Sequence, residues 1–337
     1  MSHSVTRRTF AKGGIAVAAA LIVTVGSLPV TSAPTWAEAW PFKPIKIVCA
    51  FPAGGLSDVL ARAYGDYLSQ KLGQPVIVEN RAGATGSIAA LAVKQSPPDG
   101  YTLLVTINAT FAQNRVLYKN LAYDPDKDFV LISSMTAGHL PFVAAKATGA
   151  TNLKEFVEFA RKNETNVGTF GSGTYPHIVV AELNKQFGLQ MKAVHYRGDA
   201  PLWQDFAAGV LHAAMGSYPH AVNAVQLGAG RVIAVPMTKR NTRLPDVPTF
   251  IEQGVHSTVF ALVPYIALAG PAGMPQPIVE RLSALMVEAG KSDRVQKLLE
   301  AYGIDESARD HIAFKKLYDS EVPVWIEAVK ALGLAPQ

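Results

Sequence analysis

An apolar run, two glycines and the start of a helical pattern follow one another in Ile45-Lys46-Ile47-Val48-Cys49-Ala50-Phe51-Pro52-Ala53-Gly54-Gly55-Leu56-Ser57-Asp58. The apolar run is typical of a buried strand. Apolar residues then recur at helical spacing from Leu56 to Leu72, and Gly73 stands where a C-terminal cap is expected. The stretch therefore predicts a strand, a glycine turn and a helix, the repeating unit of an α/β fold.

The same alternation of strand and helix continues along most of the chain. Further strands are expected at 76–79, 102–107, 142–146, 167–170, 191–194, 211–215 and 232–236, with helices at 84–95, 153–162, 176–187 and 201–208. After an apolar run near 262–268 the chain is almost wholly helical, over 277–289, 294–302 and 307–331, and Pro323 is expected to kink the last helix. This pattern predicts mainly parallel sheets with helices on their faces.

The first 39 residues have the layout of an export signal. Arg7 and Arg8 precede a long uncharged stretch, and the small residues around Ala39 fit a cleavage site before Trp40. The paired arginines resemble a twin-arginine signal, which is read by a receptor. The alternative is an uncleaved membrane anchor, since a span needs only ~20 apolar residues.

Size and charge limit the remaining possibilities. Cleavage at Ala39 leaves 298 residues, the upper limit for one hydrophobic core, so two lobes are expected, with chain crossings near 138–142 and 262–270. The net charge is +5, and the signal holds three basic residues and one acidic residue, so +3 remains in the mature chain. Such a small surplus does not indicate a nucleic-acid partner. The single Cys49 is interpreted as a small core residue.

Two glycine-rich segments are candidate binding sites. In the first, Gly54 and Gly55 precede a helix whose start is capped by Ser57 or Asp58, and free backbone N–H groups there favour an anion. The segment Gly171-Ser172-Gly173-Thr174-Tyr175-Pro176-His177 repeats the arrangement after the strand at 167–170. A tight turn that requires glycine explains either segment alone, but two copies favour a ligand held between them.

Other common chemistries lack their motifs. Neither segment matches a phosphate loop or a dinucleotide fingerprint, and Ser172 is not in a nucleophile elbow. The eight histidines show no metal-site spacing, so neither a metal nor a cofactor is expected. His177, one turn into its helix, is the histidine that is placed to face a cleft.

Several segments together resemble the Bug-type solute receptors, the extracytoplasmic binding components of tripartite tricarboxylate transporters. The segments that carry this resemblance are 51–55 with Asp58 and Arg62, 72–75, 78–81 with Gly83, 98–104, 171–173 with His177, 196–198 with Pro201, 244–249 and 270–273. They are colinear and cover essentially the whole mature chain.

The resemblance implies a type II periplasmic-binding-protein fold with a two-crossing hinge. Lobe 1 would comprise 40–140 and 265–337, and lobe 2 would comprise 141–264. The ligand, a di- or tricarboxylate, an amino acid or an aromatic carboxylate, would be held mainly by N–H groups and hydroxyls, with Asp58 ordering its loop. The implied ligand-binding residues are Phe51, Gly54, Gly55, Ser57, Asp58, Asn108, Ala109, Thr110, Ser172, Thr174, His177 and Gly198.

The resemblance also implies a periplasmic, monomeric protein without catalytic activity that delivers its ligand to membrane transporter subunits. Presentation of the ligand to the ectodomain of a membrane sensor kinase remains an alternative. A hydrolase using Ser172 and His177 is disfavoured, because no third group orients the histidine. The sequence departs from the family at Thr85, where glycine is customary, and Phe51, Tyr218 and Tyr265 would favour an aromatic ligand.

Overall fold

The computed structural model describes residues 40–337, so the predicted signal, with Arg7 and Arg8, lies outside the described residues. The strands are β1 (Ile45–Cys49), β2 (Val76–Asn80), β3 (Thr102–Ile107), β4 (Phe129–Thr136), β5 (Phe142–Ala145), β6 (Asn166–Thr169), β7 (Lys192–His195), β8 (Ala213–Met215), β9 (Gly230–Ala234) and β10 (Tyr265–Pro271). The helices are α1 (Leu56–Leu72), α2 (Ser87–Lys94), α3 (Asn108–Phe111), α4 (Asn114–Leu117), α5 (Leu153–Lys162), α6 (Tyr175–Phe187), α7 (Asp199–Ala207), α8 (Tyr218–Gln226), α9 (Gln276–Ala289), α10 (Asp293–Ala301) and α11 (His311–Lys330).

Two five-stranded sheets form the two lobes. The first has the order β2-β1-β3-β10-β4 and the second the order β7-β6-β8-β5-β9. In each sheet the fourth strand is antiparallel to both of its neighbours, while the other pairs are parallel. That fourth strand is the one that enters from the opposite lobe, β10 in the first sheet and β5 in the second. The predicted class, two mainly parallel α/β lobes, is confirmed, with one reversed strand in each sheet.

The chain passes twice between the lobes, first between β4 and β5 and again before β10. The two passages are joined by a backbone hydrogen bond, because Ala137 N–H donates to the Pro264 carbonyl at 2.9 Å. His139 Nδ1 lies 3.0 Å from the Pro236 carbonyl oxygen, and burial lowers the pKa of this histidine. These contacts make the connection a paired, two-chain hinge.

The last helix, α11, packs against both lobes. Its Trp325 ring meets the Tyr175 ring of α6 edge-on at 5.3 Å between centroids, and the Tyr175 hydroxyl donates to the Val259 carbonyl at 3.1 Å. The helix begins four residues later than the sequence predicts, because Asp310 caps it by accepting the Ala313 N–H, while Arg309 pairs with β4.

The sequence did not indicate β4 or α8. Strand β4 contains Ser133 and Ser134 at fully buried positions, so its polarity resembles that of a loop. Helix α8 starts just before Pro219, in a stretch without an obvious apolar stripe. The interpretation of Cys49 is confirmed: the residue is fully buried, and burial raises the pKa of its thiol to about 11. Among residues 40–337, no helix is both long and apolar enough to cross a membrane.

Candidate functional site

A cavity of about 200 Å³ lies between the two lobes. Residues 51–57 and 107–109 line it from the first lobe, Ala137, Leu140 and 264–266 line it from the crossings, and Phe170, Tyr175, 197–201, Ser217 and His220 line it from the second lobe. Pockets for drug-sized ligands span about 300–1,000 Å³, so this cavity suits a smaller solute.

The first wall is the loop between β1 and α1. Gly54 has φ +81°, and Gly55 is an N-cap residue without a side chain to accept the N–H groups of the first turn. The N–H groups of Leu56 and Ser57 therefore have no acceptor within the helix, and they stand at the positive end of its dipole. This wall is suited to an anionic group.

Asp58 holds that loop in place. Its Oδ2 accepts the Gly54 N–H at 2.9 Å, its Oδ1 accepts from Asn80 Nδ2 at 2.8 Å, and Arg62 lies 2.9 Å away. Burial by itself would raise the pKa of the Asp58 carboxyl, but the hydrogen bonds from Arg62, Gly54 and Asn80 lower it below its usual value. Asp58 does not line the cavity, which agrees with a loop-ordering role.

The opposite wall consists of two further helix starts. Gly198, with φ +120°, is the N-cap residue of α7, and Ser217 is the N-cap residue of α8; neither residue accepts a backbone N–H of its helix with a side chain. A Cβ built on Gly198 would lie 3.9 Å from Pro52 Cγ of the first lobe. The two walls therefore approach each other at Gly198 and Pro52.

Three residues of the cavity lining can carry charge: Arg197, Asp199 and His220. Arg197 is exposed, and among the described residues it has no ion-pair partner within 4.0 Å and no hydrogen-bond acceptor. Sequence reasoning used Tyr196-Arg197-Gly198 only as part of a resemblance and missed this arginine as a site residue. The sequence signal that could have indicated it is a basic residue, Arg197, directly before Gly198, the glycine at which a helix begins.

Asn108 and Ala109 line the cavity, but the neighbouring Thr110 does not. Asn108 is 4% exposed, and its side-chain Nδ2 is buried without a hydrogen-bond acceptor in the described part of the chain. Thr110 is fully buried; its hydroxyl donates to the Thr85 carbonyl at 2.9 Å and is paired with Thr106. Asn108 therefore offers a free donor, whereas Thr110 is used by the fold.

The second glycine segment contributes less than the sequence suggested. Ser172, Thr174 and His177 lie outside the cavity lining, and only the flanking Phe170 and Tyr175 reach it. The Thr174 hydroxyl donates to the Gly171 carbonyl, and His177 Nδ1 accepts the Gly173 N–H at 3.0 Å. Burial, and then the neighbouring His195, lower the pKa of His177 to about 4, so it is neutral near pH 7. These groups hold the turn.

No cluster of three or more potential metal ligands exists among the described residues 40–337.

Two α/β lobes, a paired hinge and a small cavity walled by helix starts define a solute-binding protein of the periplasmic type. The sequence model of the family described as "Tripartite tricarboxylate transporter family receptor" matches residues 60–334, and the chain belongs to this family. Its members are solute-binding receptors that work with transporters. The Bug-type resemblance seen in the sequence is therefore confirmed.

Relatives of the same type extend over most of the chain. A protein of Agrobacterium vitis from the TAR-I ttuE-ttuC' intergenic region is 33% identical over 81% of this chain and 79% of its own length. Protein BugT of Bordetella pertussis is 29% identical over 95% of this chain and 97% of its own length.

Solved structures match the fold closely. An R. palustris protein with adipate is similar with a TM-score of 0.82 and 28% identity, covering 88% of this chain and 100% of that chain. The periplasmic binding protein BugD matches with a TM-score of 0.77 and 28% identity, covering 88% of this chain and 100% of that chain. MatC from Rhodopseudomonas palustris with bound malate matches with a TM-score of 0.76 and 28% identity, covering 86% of this chain and 100% of that chain.

Proposed function

We propose that this protein is a periplasmic receptor that closes on a small carboxylate and delivers it to the membrane subunits of a tripartite tricarboxylate-type transporter. The observation that carries this proposal is the convergence, on a cavity of about 200 Å³, of three helix starts without side-chain caps and of Arg197, which has no ion-pair partner among residues 40–337. Structurally similar proteins were solved with adipate and with malate, which supports a carboxylate as the ligand.

A ligand carboxylate is bound by donors from both lobes. The first lobe donates hydrogen bonds to it from the α1 N–H groups at Leu56 and Ser57 and from the side-chain Nδ2 of Asn108. Arg197 serves it from the second lobe, where its guanidinium is free to form a charge-assisted hydrogen bond. Phe51 and Gly55 shape the space beside these donors.

Closure follows from the division of these donors between the lobes. A ligand that touches one wall gains its remaining contacts only when the lobes come together, so it favours the closed form by its differential affinity. The two paired crossings at Ala137 and Pro264 provide a hinge for this motion. No covalent step is needed, and we expect no catalytic activity.

Export across the membrane completes the proposal. Trp40, the first residue that the structure describes, is 4% exposed, and its carbonyl accepts a hydrogen bond from Arg281. Cleavage after Ala39 would release this packed chain as a monomer. Replacement of Arg7 and Arg8 by lysine should block export if the twin-arginine route is used, and N-terminal sequencing of exported protein reads the cleavage site.

Binding is tested by thermal shift and calorimetry against a panel of small carboxylates. A ligand at 100 times its dissociation constant stabilises by about 2.7 kcal/mol, which corresponds to a shift of several degrees. Arg197→Gln should weaken binding about 10- to 100-fold, since hydrogen bonds to charged groups contribute about 1.5–3 kcal/mol. Arg231→Gln, an exposed arginine of the same lobe outside the cavity, is the matched control. Absence of binding to every carboxylate would refute the proposal.

A further inference from the structure

A largely enclosed carboxylate, Asp199, lines the same cavity, and among residues 40–337 it has no ion-pair partner of fixed positive charge. The Asp199 side chain is 11% exposed, and within the described residues the only ion pair recorded for it is with His220, at 4.0 Å between Oδ2 and Nδ1. That imidazole carries charge only when protonated, and its Nδ1 is already 2.9 Å from Ser217 Oγ.

The hydrogen bonds of Asp199 are unequally distributed between its two oxygens. Oδ1 accepts the Ser217 N–H at 3.4 Å, a long contact, whereas Oδ2 has no hydrogen-bond donor among residues 40–337. Burial first, and then the charge of Asp199, raise the pKa of the Tyr302 phenol in the first lobe. Neither Ser217 nor Tyr302 supplies a positive charge to the carboxylate.

The position of Asp199 is fixed by close packing. A Cβ built on Gly216 would lie 2.5 Å from Asp199 Oδ1 and 2.8 Å from Trp203 Nε1. The glycine at 216 therefore leaves room for the carboxylate to lie against the start of α8. Trp203 lies outside the cavity lining, and its Nε1 is buried without an acceptor among residues 40–337. Two neighbouring polar groups at the start of α7 are therefore not fully satisfied by the described part of the chain.

Burial of a charge is unfavourable unless a partner of opposite charge or several hydrogen bonds compensate it. The dipole of α7 stabilises an acidic residue in its first turn only modestly. A simple dicarboxylate would bring two further negative charges into a lining whose fixed charges, Arg197 and Asp199, balance each other. A ligand with both a carboxylate and a cationic nitrogen would match both residues.

We propose that the ligand is a carboxylate that also carries a protonated amino group, with Asp199 accepting a hydrogen bond from the ammonium while Arg197 and the α1 amides bind the carboxylate. This assignment rests on the proposed receptor function and narrows its ligand class. Asp199 then determines specificity, because it attracts the amino group and repels a second carboxylate at the same place.

A structural role for Asp199 is the competing explanation, since its Oδ1 also supports the start of α8 through Ser217. Asp199→Asn separates the two explanations, because the amide keeps the shape and one acceptor oxygen while removing the charge. Asp293→Asn is the matched control: Asp293 is likewise the first residue of a helix, α10, but it is exposed and lies outside the cavity.

The experiment measures affinities by calorimetry for matched pairs of ligands: adipate against 2-aminoadipate, and succinate against 2-aminosuccinate. The wild-type protein should bind the amino member of a pair at least about tenfold more tightly. Asp199→Asn should lose that preference, with weaker binding of the amino member and equal or tighter binding of its partner, whereas Asp293→Asn should retain it.

The outcomes distinguish the two levels of the proposal. Wild-type preference for the members without an amino group, or an equal loss for both members in Asp199→Asn, overturns the role of Asp199 and leaves the carboxylate receptor intact. The wild-type preference is measured without the variant, so it decides the question even if Asp199→Asn does not fold. Absence of binding for all four acids, together with the wider carboxylate panel, overturns the receptor function itself.

Discussion

The Asp58 carboxylate accepts the backbone N–H of Gly54 at 2.9 Å. This negative charge, although it lies beside the anion-binding wall, is therefore hydrogen-bonded to the loop between β1 and α1. The same carboxylate is paired with Arg62 four residues later on α1. Its charge is therefore compensated before a ligand arrives, and the loop between β1 and α1 is ordered in the free protein.

Asp58→Asn should reduce the free energy of unfolding by about 2 kcal/mol at pH 7, the range for a hydrogen-bonded charged group. The folded-state pKa of Asp58 lies below its unfolded value, so this contribution is fully present above about pH 4 and is lost as the pH falls through the folded-state pKa. Urea unfolding at pH 7 and at pH 3 should show the difference between wild type and variant shrinking in acid.

Asp319→Asn is the control for this loss. Asp319 forms an i,i+4 pair with Lys315, but both side chains are more than half exposed. Exposed pairs of this kind contribute about 0.3–0.5 kcal/mol, so the control should change stability little. A difference between Asp58→Asn and wild type that stays constant with pH would contradict the assigned role of the charge.

Gly55→Val should abolish ligand binding without unfolding the protein. Gly55 has extended backbone angles that any residue adopts, and a Cβ there would meet only the Pro52 carbonyl oxygen, at an ordinary 3.5 Å. Because Gly55 lines the cavity, the added side chain occupies space beside the α1 amides. Calorimetry should show at least a 100-fold loss, with a smaller loss for Gly55→Ala; unchanged affinity in Gly55→Val would place the ligand elsewhere.

Thr85→Gly should stabilise the protein. Thr85 lies in the left-handed region at φ 48°, ψ 43°, where a β-branched residue is strained. Its carbonyl accepts hydrogen bonds from Thr110 and Asn114, which hold the backbone in this conformation. Relief of about 1–3 kcal/mol of strain should exceed the roughly 0.5–1 kcal/mol entropy cost of glycine. Thermal unfolding measures the balance, and a lower melting temperature would show that Thr85 is not strained.

Local sequence signals predicted a large part of the fold. The bounds of α1, α5 and β3 agree with those expected, because an apolar stripe or a β-prone run coincides there with clear caps or turns. Strand β4 could not be recognised in this way. Its serines are buried through pairing with β10 and contacts with Arg309, which are distant in sequence.

The candidate site shows the same limit. The residues at 51–57 line the cavity as the sequence suggested, because strand, glycines and helix are adjacent along the chain. The glycine turn at 171–173 gives an equally strong local signal, yet the second lobe presents the starts of α7 and α8 instead. The turn at 171–173 instead packs against Leu117 of the first lobe, a contact between residues distant in sequence that a local pattern does not contain.

Gly173→Ala should shift the protein toward an open conformation and weaken binding. Gly173 of the second lobe packs on the first lobe, and a Cβ built there would lie 2.5 Å from Leu117 Cδ1. The added methyl group therefore opposes the approach of the lobes at this point. Small-angle scattering should report a larger radius of gyration, and calorimetry a weaker affinity for the ligand identified in the screen.

Gly188→Ala controls for backbone strain. The φ angles of the two glycines are similar, 64° for Gly188 and 69° for Gly173, but the Cβ position of Gly188 is surrounded by open space. Both variants should lose stability from the left-handed conformation, but only Gly173→Ala should change the scattering profile. Adding Leu117→Ala removes the clash and should restore compactness and affinity toward the wild-type values. If the double variant stays as open as Gly173→Ala alone, the Gly173–Leu117 contact does not limit closure.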